Sequence, residues 1–309
     1  MMDAQSTLLE FHPISIADKQ IYEVYLRESS PRGCEYSFAN LFLWGEQKIT
    51  YFAGHAVIFS RFGTRFLYPY PVGVGDKRAV LDAIFEDAAA RGIEWRFSGV
   101  LPREKEELKT LCPDTFTFAF PEGSHDYVYD INDLADLAGR KYHGKRNHCK
   151  RFETLYPDHR IDPISSANLE DVRGMAQKWY EEREEGGDGE FDLEKIAIER
   201  ALANYRELEL DGLVLYVGDE IVAITMGNRM TEDTVDVNFE KALSGFDGAY
   251  AYINRTFARY LREKYPDVRF LNREEDMGIE GLRRAKQSYY PHHRVEKYRA
   301  MPKETAHEI

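Results

Sequence analysis

The stretch Thr234-Val-Asp-Val-Asn-Phe-Glu-Lys-Ala-Leu-Ser-Gly-Phe-Asp-Gly-Ala249 changes its period midway, and that change sets the fold class. Val235, Val237 and Phe239 alternate with Asp236, Asn238 and Glu240, the period of a half-buried strand. A glycine-containing loop, Leu243–Gly248, follows. From Ala249 to Lys264 the apolar spacing is helical and stops before Pro266, and a short β-rich run, Val268–Leu271, comes next. Upstream, Gly212–Val217 and Glu220–Asn228 meet at Gly218-Asp219, a tight-hairpin signal. Two helices precede them, at about 169–184 behind Asn168 and at about 193–208.

The first half repeats this order. A helix at about 15–26 leads to strands at Ile49–Phe52, Ala56–Ser60 and Phe66–Tyr70, then the loop Pro69–Gly75, a helix over 76–90 stopped by Gly92, and a strand over 94–98. A strand–helix–strand crossover closes each half, so the architecture is duplicated although the two sequences are not alike. The expected class is α/β (α+β), with mixed, mostly antiparallel sheets in two domains, 1–160 and 161–309.

The chain has 309 residues, 43% hydrophobic and 13% aromatic, which excludes wholesale disorder. Near the front the longest charge-free run is Ile49–Ser60, short of the ~18 residues that span a bilayer. The opening Met-Met-Asp-Ala-Gln is not a secretory signal, so a cytoplasmic protein without a transmembrane segment is expected. Cys34, Cys112 and Cys149 stand singly, against a disulfide framework or a zinc site. No metal is expected, His292-His293 included. A net charge of −13 excludes a general polyanion binder, and no DNA partner is expected.

Basic charge is nevertheless concentrated. Leu137–Phe152 holds Arg140, Lys141, Lys145, Arg146, Lys150 and Arg151 with no acid, and Arg283, Arg284 and Lys286 form a second cluster. Glu181–Glu190 is acidic and reads as a mobile surface loop. A helix capped by Asp133 and running to about Tyr156 would line up Leu134, Leu137, Tyr142, Cys149 and Phe152, with Lys141, Lys145 and His148 in the middle of that arc. A break at Gly139 or Gly144 would dissolve the arc. Ile279, Leu282, Tyr289 and Tyr290 share a face that has Arg283 and Lys286 at its centre. Cations on apolar faces need partners or reach water, and an anion site would satisfy both clusters.

The stretches Tyr142-His-Gly-Lys-Arg-Asn-His-Cys-Lys-Arg-Phe152 and Asn272-Arg-Glu-Glu-Asp-Met-Gly-Ile-Glu-Gly-Leu-Arg-Arg-Ala-Lys-Gln-Ser-Tyr-Tyr-Pro291 resemble the two signatures of a family of unknown function. That family is related to the C-terminal domain of bacterial phosphatidylglycerol lysyltransferases, and the resemblance covers about Phe11 to Met301. It implies two tandem Gcn5-related (GNAT, acyl-CoA N-acyltransferase-like) folds, as in the Fem aminoacyltransferases. It also implies transfer of an activated acyl or aminoacyl group, from aminoacyl-tRNA or coenzyme A, to an amine or hydroxyl. The acceptor would be a small molecule, a cell-wall precursor or a lipid headgroup.

Such chemistry needs a base and an oxyanion partner. Asp236 and Glu240, expected on one strand face with Asn238, are the candidate bases. Lys145, Arg146, His148, Arg273, Glu274, Arg283, Lys286 and Tyr289 are the candidate substrate-binding residues. Lys286 and Arg283 are expected to point into a cavity at the carboxyl end of the Val268–Leu271 strand and to hold an anion. Ser244, Gly245 and Gly248 would offer backbone N–H groups to a coenzyme A pyrophosphate, yet the glycine spacing is off by one and Asp247 opposes an anion. No cofactor is required. The alternatives are a coenzyme A-dependent acetyltransferase and a non-catalytic anion- or partner-binding protein of the same fold. The oligomeric state is left open.

Overall fold

Ala53-Gly54 turns the chain in two residues, with Phe52 opposite His55, and this hairpin starts the first sheet. The computed structural model describes residues 9–185 and 192–303. It divides the chain into two compact units, Met1–His125 with Val295–Ile309, and Asp126–Arg294.

In the first unit the elements are β1 (His12–Pro13), α1 (Lys19–Ser29), α2 (Phe38–Leu43), β2 (Glu46–Phe52), β3 (His55–Phe62), β4 (Arg65–Pro69), β5 (Val72–Gly73), α3 (Lys77–Ala90), β6 (Phe97–Val100), α4 (Pro102–Leu111) and β7 (Phe116–Ala119). The Asp76 side chain accepts from the Ala79 amide and starts α3. That helix carries the chain from β4 over to β6, its parallel neighbour.

The second unit contains β8 (Asp126–Asp130), α5 (Ile131–Asp136), α6 (His143–Leu155), β9 (His159–Pro163), α7 (Leu169–Glu185), α8 (Asp192–Ala203), β10 (Asp211–Val217), β11 (Glu220–Arg229), β12 (Thr234–Ala242), α9 (Ala249–Lys264), β13 (Phe270–Asn272), α10 (Glu280–Gln287) and β14 (His293–Val295). Its sheet runs β14-β8-β13-β12-β11-β10-β9. The pair β12–β13 is parallel and is joined by α9. Each unit therefore has three consecutive antiparallel strands, a crossover helix and a parallel strand, as the duplicated sequence pattern predicts. β15 (Tyr298–Pro302) returns to pair with β6 and β7.

The boundary expected at residue 160 does not coincide with these units. β8 pairs with β13 and β9 with β10, so both belong to the second sheet. Cys149 and Phe152 of α6 lie in one buried cluster with Ile253 and Phe257 of α9, and each such apolar side chain is worth roughly 1.5–3 kcal/mol. The basic helix is thus part of the second unit. It is also not the single helix 133–156. Asp130, not Asp133, caps α5, and Leu137 (φ 50°) and Gly139 (φ 82°) turn the chain before α6 begins. The acidic stretch read as a loop begins inside α7, which runs to Glu185; the remainder of that reading lies outside the described residues.

Among the described residues no helix is long and apolar enough to cross a membrane.

Candidate active site

β12 does not keep its alternation. Its register with β11 shifts between Met226 and Asn228, where Gly227 faces two residues. A Cβ on Gly227 would lie 2.3 Å from the Asp236 carbonyl, so the bulge needs glycine there. Beyond the bulge the faces exchange. Val235, Val237 and Ala242 all join the cluster under α9, and Glu240 bonds Asn254 of that helix. Lys241 points the other way, to Glu194 at 2.6 Å and the Trp179 ring. Glu240 is therefore on the same side as the valines, not opposite them. Asp236 is fully buried and accepts from Asn238 at 3.2 Å.

The bulge aims Glu240 at Arg273, the first residue after β13. Arg273 Nη2 donates to Glu240 Oε1 at 2.9 Å, and Asn254 Nδ2 donates to Glu240 Oε2 at 3.0 Å. The Arg273 guanidinium lies 5.0 Å from the Tyr289 ring centre and 5.7 Å from that of Tyr129. Its Nη1 is buried without a hydrogen-bond partner among the described residues. Lys145 of α6 completes the group. Its ammonium sits 3.8 Å above the Tyr289 ring and donates to Ser288 Oγ at 2.7 Å. Burial and the nearby Arg273 pull the Lys145 amine down to about 8. Tyr289 is fixed by the Tyr142 hydroxyl, which donates to its carbonyl at 2.9 Å.

Of the sequence candidates, Lys145, Glu240, Arg273 and Tyr289 converge. The others have different surroundings. Arg146 donates to the Leu137 and Gly139 carbonyls and so caps the end of α5. His148 is exposed. The Glu274 amide bonds Asn272 Oδ1, and its carbonyl accepts from the Tyr127 amide. Arg283, expected to hold an anion, pairs with Asp276 at 2.9 Å, and Asp276 also accepts from Tyr127 and the Gly278 amide. Burial opposes charge on Asp276, but these bonds hold it down at about 2. Lys286, expected to hold an anion, donates instead to the Arg273 and Glu275 carbonyls. Both cations clamp the turn after β13. Of the apolar face predicted there, Tyr289 is buried while Ile279 and Tyr290 are exposed.

The loop before α9 is occupied by the protein's own groups. Glu182 accepts from the Ser244 amide (3.2 Å) and hydroxyl (3.0 Å). Asp247 pairs with Arg151 at 2.9 Å. Gly248 has φ 89°, and a Cβ there would lie 2.3 Å from the His148 carbonyl. Gly245 is exposed.

Asn254, Tyr129 and Ser288 escape the sequence reading. Asn254 had a signal: it is the polar residue on the stripe of α9 that buries Phe257, Ala258 and Leu261.

The chain shares its fold with GNAT-family proteins of known structure, consistent with two tandem units of that kind. The chain belongs to the family described as phosphatidylglycerol lysyltransferase, C-terminal, which matches residues 26–301. A conserved protein of unknown function from Bacteroides thetaiotaomicron is 35% identical, with a TM-score of 0.89 over 96% of this chain and 100% of that one. L-PGS from Bacillus licheniformis is 17% identical, with a TM-score of 0.64 over 94% of this chain and 93% of that one. FemX is 10% identical, with a TM-score of 0.63 over 94% and 97%. An uncharacterised curated protein from Mycoplasmoides gallisepticum is 22% identical, and the match spans 57% of this chain and only 56% of that protein.

Proposed function

We propose that the second unit transfers an activated acyl group, carried as an aminoacyl ester, to an amine or hydroxyl acceptor. The observation that carries this reading is Arg273, locked by Glu240, with a buried N–H left unpaired beside Lys145. A nucleophile that attacks the ester carbonyl must lose a proton while the carbonyl oxygen gains negative charge. Neutral Lys145 takes the proton. The unpaired Arg273 N–H donates to the oxyanion. Collapse of the tetrahedral adduct breaks the ester C–O bond, and Lys145 returns the proton to the leaving oxygen. Glu240 is a positioning residue in this scheme, because both of its oxygens already hold Arg273 and Asn254.

The loop before α9 supports an aminoacyl ester over coenzyme A. Glu182 already takes the Ser244 amide, Asp247 adds a carboxylate paired with Arg151, and the α6 backbone closes against Gly248, which leaves little for a pyrophosphate to bind. Arg140 and Lys150 are exposed and offer charge to an RNA backbone. The lysyltransferase name of the family agrees with this donor.

The test is transfer from a pool of aminoacyl-tRNAs, with hydroxylamine as a surrogate acceptor. Arg273→Ala should lower kcat/KM by roughly 100- to 1000-fold. Wild-type rates in Arg273→Ala would refute the assignment.

A further inference from the structure

Arg273 is not alone in holding back a buried polar atom. Asn254 of α9 is only 4% exposed, and its Oδ1 has no hydrogen-bond partner among the described residues. Chemistry fixes which way this amide faces. Glu240 Oε2 takes a hydrogen from Asn254 at 3.0 Å, and a carboxylate paired with an arginine only accepts, so the amino end of the amide must face it. The oxygen is left on the other side as an acceptor. Ala251, Phe257 and Ala258, one turn away on the same buried stripe, carry no side-chain donor for it. A buried acceptor without a donor is costly, so native structures nearly always supply one.

The two orphaned atoms hang on one carboxylate. Arg273 Nη2 is 2.9 Å from Glu240 Oε1, and Asn254 Nδ2 is 3.0 Å from Glu240 Oε2. Each bond uses one end of its group and leaves the other, Nη1 as a donor and Oδ1 as an acceptor. The site therefore asks for a ligand with an acceptor and a donor close together. A carbonyl oxygen and a neighbouring amine, with a hydrogen bond at each end, bridge up to roughly 9 Å.

We propose that Asn254 Oδ1 accepts a hydrogen from the α-amine of the aminoacyl ester whose carbonyl oxygen faces Arg273, so that the site selects an acyl group with a free α-amine. This rests on the acyl-transfer reading. In an aminoacyl ester the carbonyl oxygen and the amine nitrogen are joined through the carbonyl carbon and Cα alone. A neutral amine suits a neutral amide oxygen and adds no charge beside Arg273. A simple acyl group would meet Arg273 and leave Asn254 Oδ1 buried and unpaired, which is how a polar site rejects an analogue lacking one N–H.

Isothermal titration of the full chain with RNA minihelices ending in 3′-alanylamino, 3′-lactylamino and 3′-propionylamino groups tests it. These place an amine, a hydroxyl and a plain hydrogen on the same carbon. The wild type should bind the alanyl and lactyl forms alike and the propionyl form at least about tenfold more weakly. In Asn254→Leu the alanyl and propionyl forms should bind within about twofold of each other. A merely structural role for Asn254 would weaken every minihelix together and leave that ratio at its wild-type value. Equal binding of the alanyl and propionyl forms by the wild type would overturn the proposal and spare the acyl-transfer reading. Discrimination that survives in Asn254→Leu would overturn it by assigning the amine to another group. Binding of none of the three would remove both readings together.

Discussion

Lys286 and Lys145 both project from helices among apolar side chains, and their partners give them opposite roles. The Lys286 amine is consumed by two carbonyls of the turn after β13. Lys286→Met should therefore cost about 2 kcal/mol in urea unfolding, the scale of lost charge-assisted bonds less the recovered desolvation. Donor affinity per folded molecule should not change. Lys145 donates to a serine hydroxyl, lies over the Tyr289 ring and sits near 8. As a base it acts deprotonated, so the transfer rate should climb between pH 7 and 9. Lys145→Met should erase that limb and leave the protein folded, and a limb that survives would assign the proton transfer elsewhere. The sequence alone could not separate these two lysines. Helical spacing gives an angle, whereas the carbonyls that hold Lys286 come from residues 273 and 275, brought back by the turn.

At the level of elements, hairpins and crossovers were legible because their signals are local. Gly218-Asp219 joins β10 to β11, and Pro266 follows α9. The bulge in β12 was not legible, because it depends on Gly227 across the ladder and not on β12 itself. That one feature moves Glu240 to the α9 side and creates its pair with Arg273. The α5–α6 break was visible only as Gly139, while the left-handed Leu137 gave no sign. Where α6 meets the start of α9, Gly248 permits the approach. Gly248→Ala should destabilise by about 2 kcal/mol or more, from left-handed strain plus a clash with the His148 carbonyl. Urea unfolding at wild-type stability would mean that α6 is not packed there.

For the molecule as a whole, the duplication was readable and the division was not. β8, β9 and β15 join their sheets by long-range pairing, which no local pattern encodes. The two units also differ in charge chemistry, and this has a consequence for stability. Glu104 is raised from an ordinary 4.5 to about 7 by burial, so folding favours its protonated form. Stability from this group is full below about 4.5, falls as pH rises to about 7, and is flat beyond. Glu104→Gln should remove that slope and stabilise the protein at pH 8 by about 1–2 kcal/mol, after discounting for partial exposure, as thermal unfolding at pH 4 and pH 8 would reveal.

The proposed transfer takes an aminoacyl ester at Arg273 in preference to coenzyme A. Isothermal titration with a stable 3′-aminoacylamino RNA minihelix pool, against acetyl-coenzyme A, tests it directly. The account predicts micromolar binding of the minihelix, at least tenfold weaker in Arg273→Ala, and no heat from acetyl-coenzyme A. Micromolar binding of acetyl-coenzyme A with none of the minihelix would contradict it.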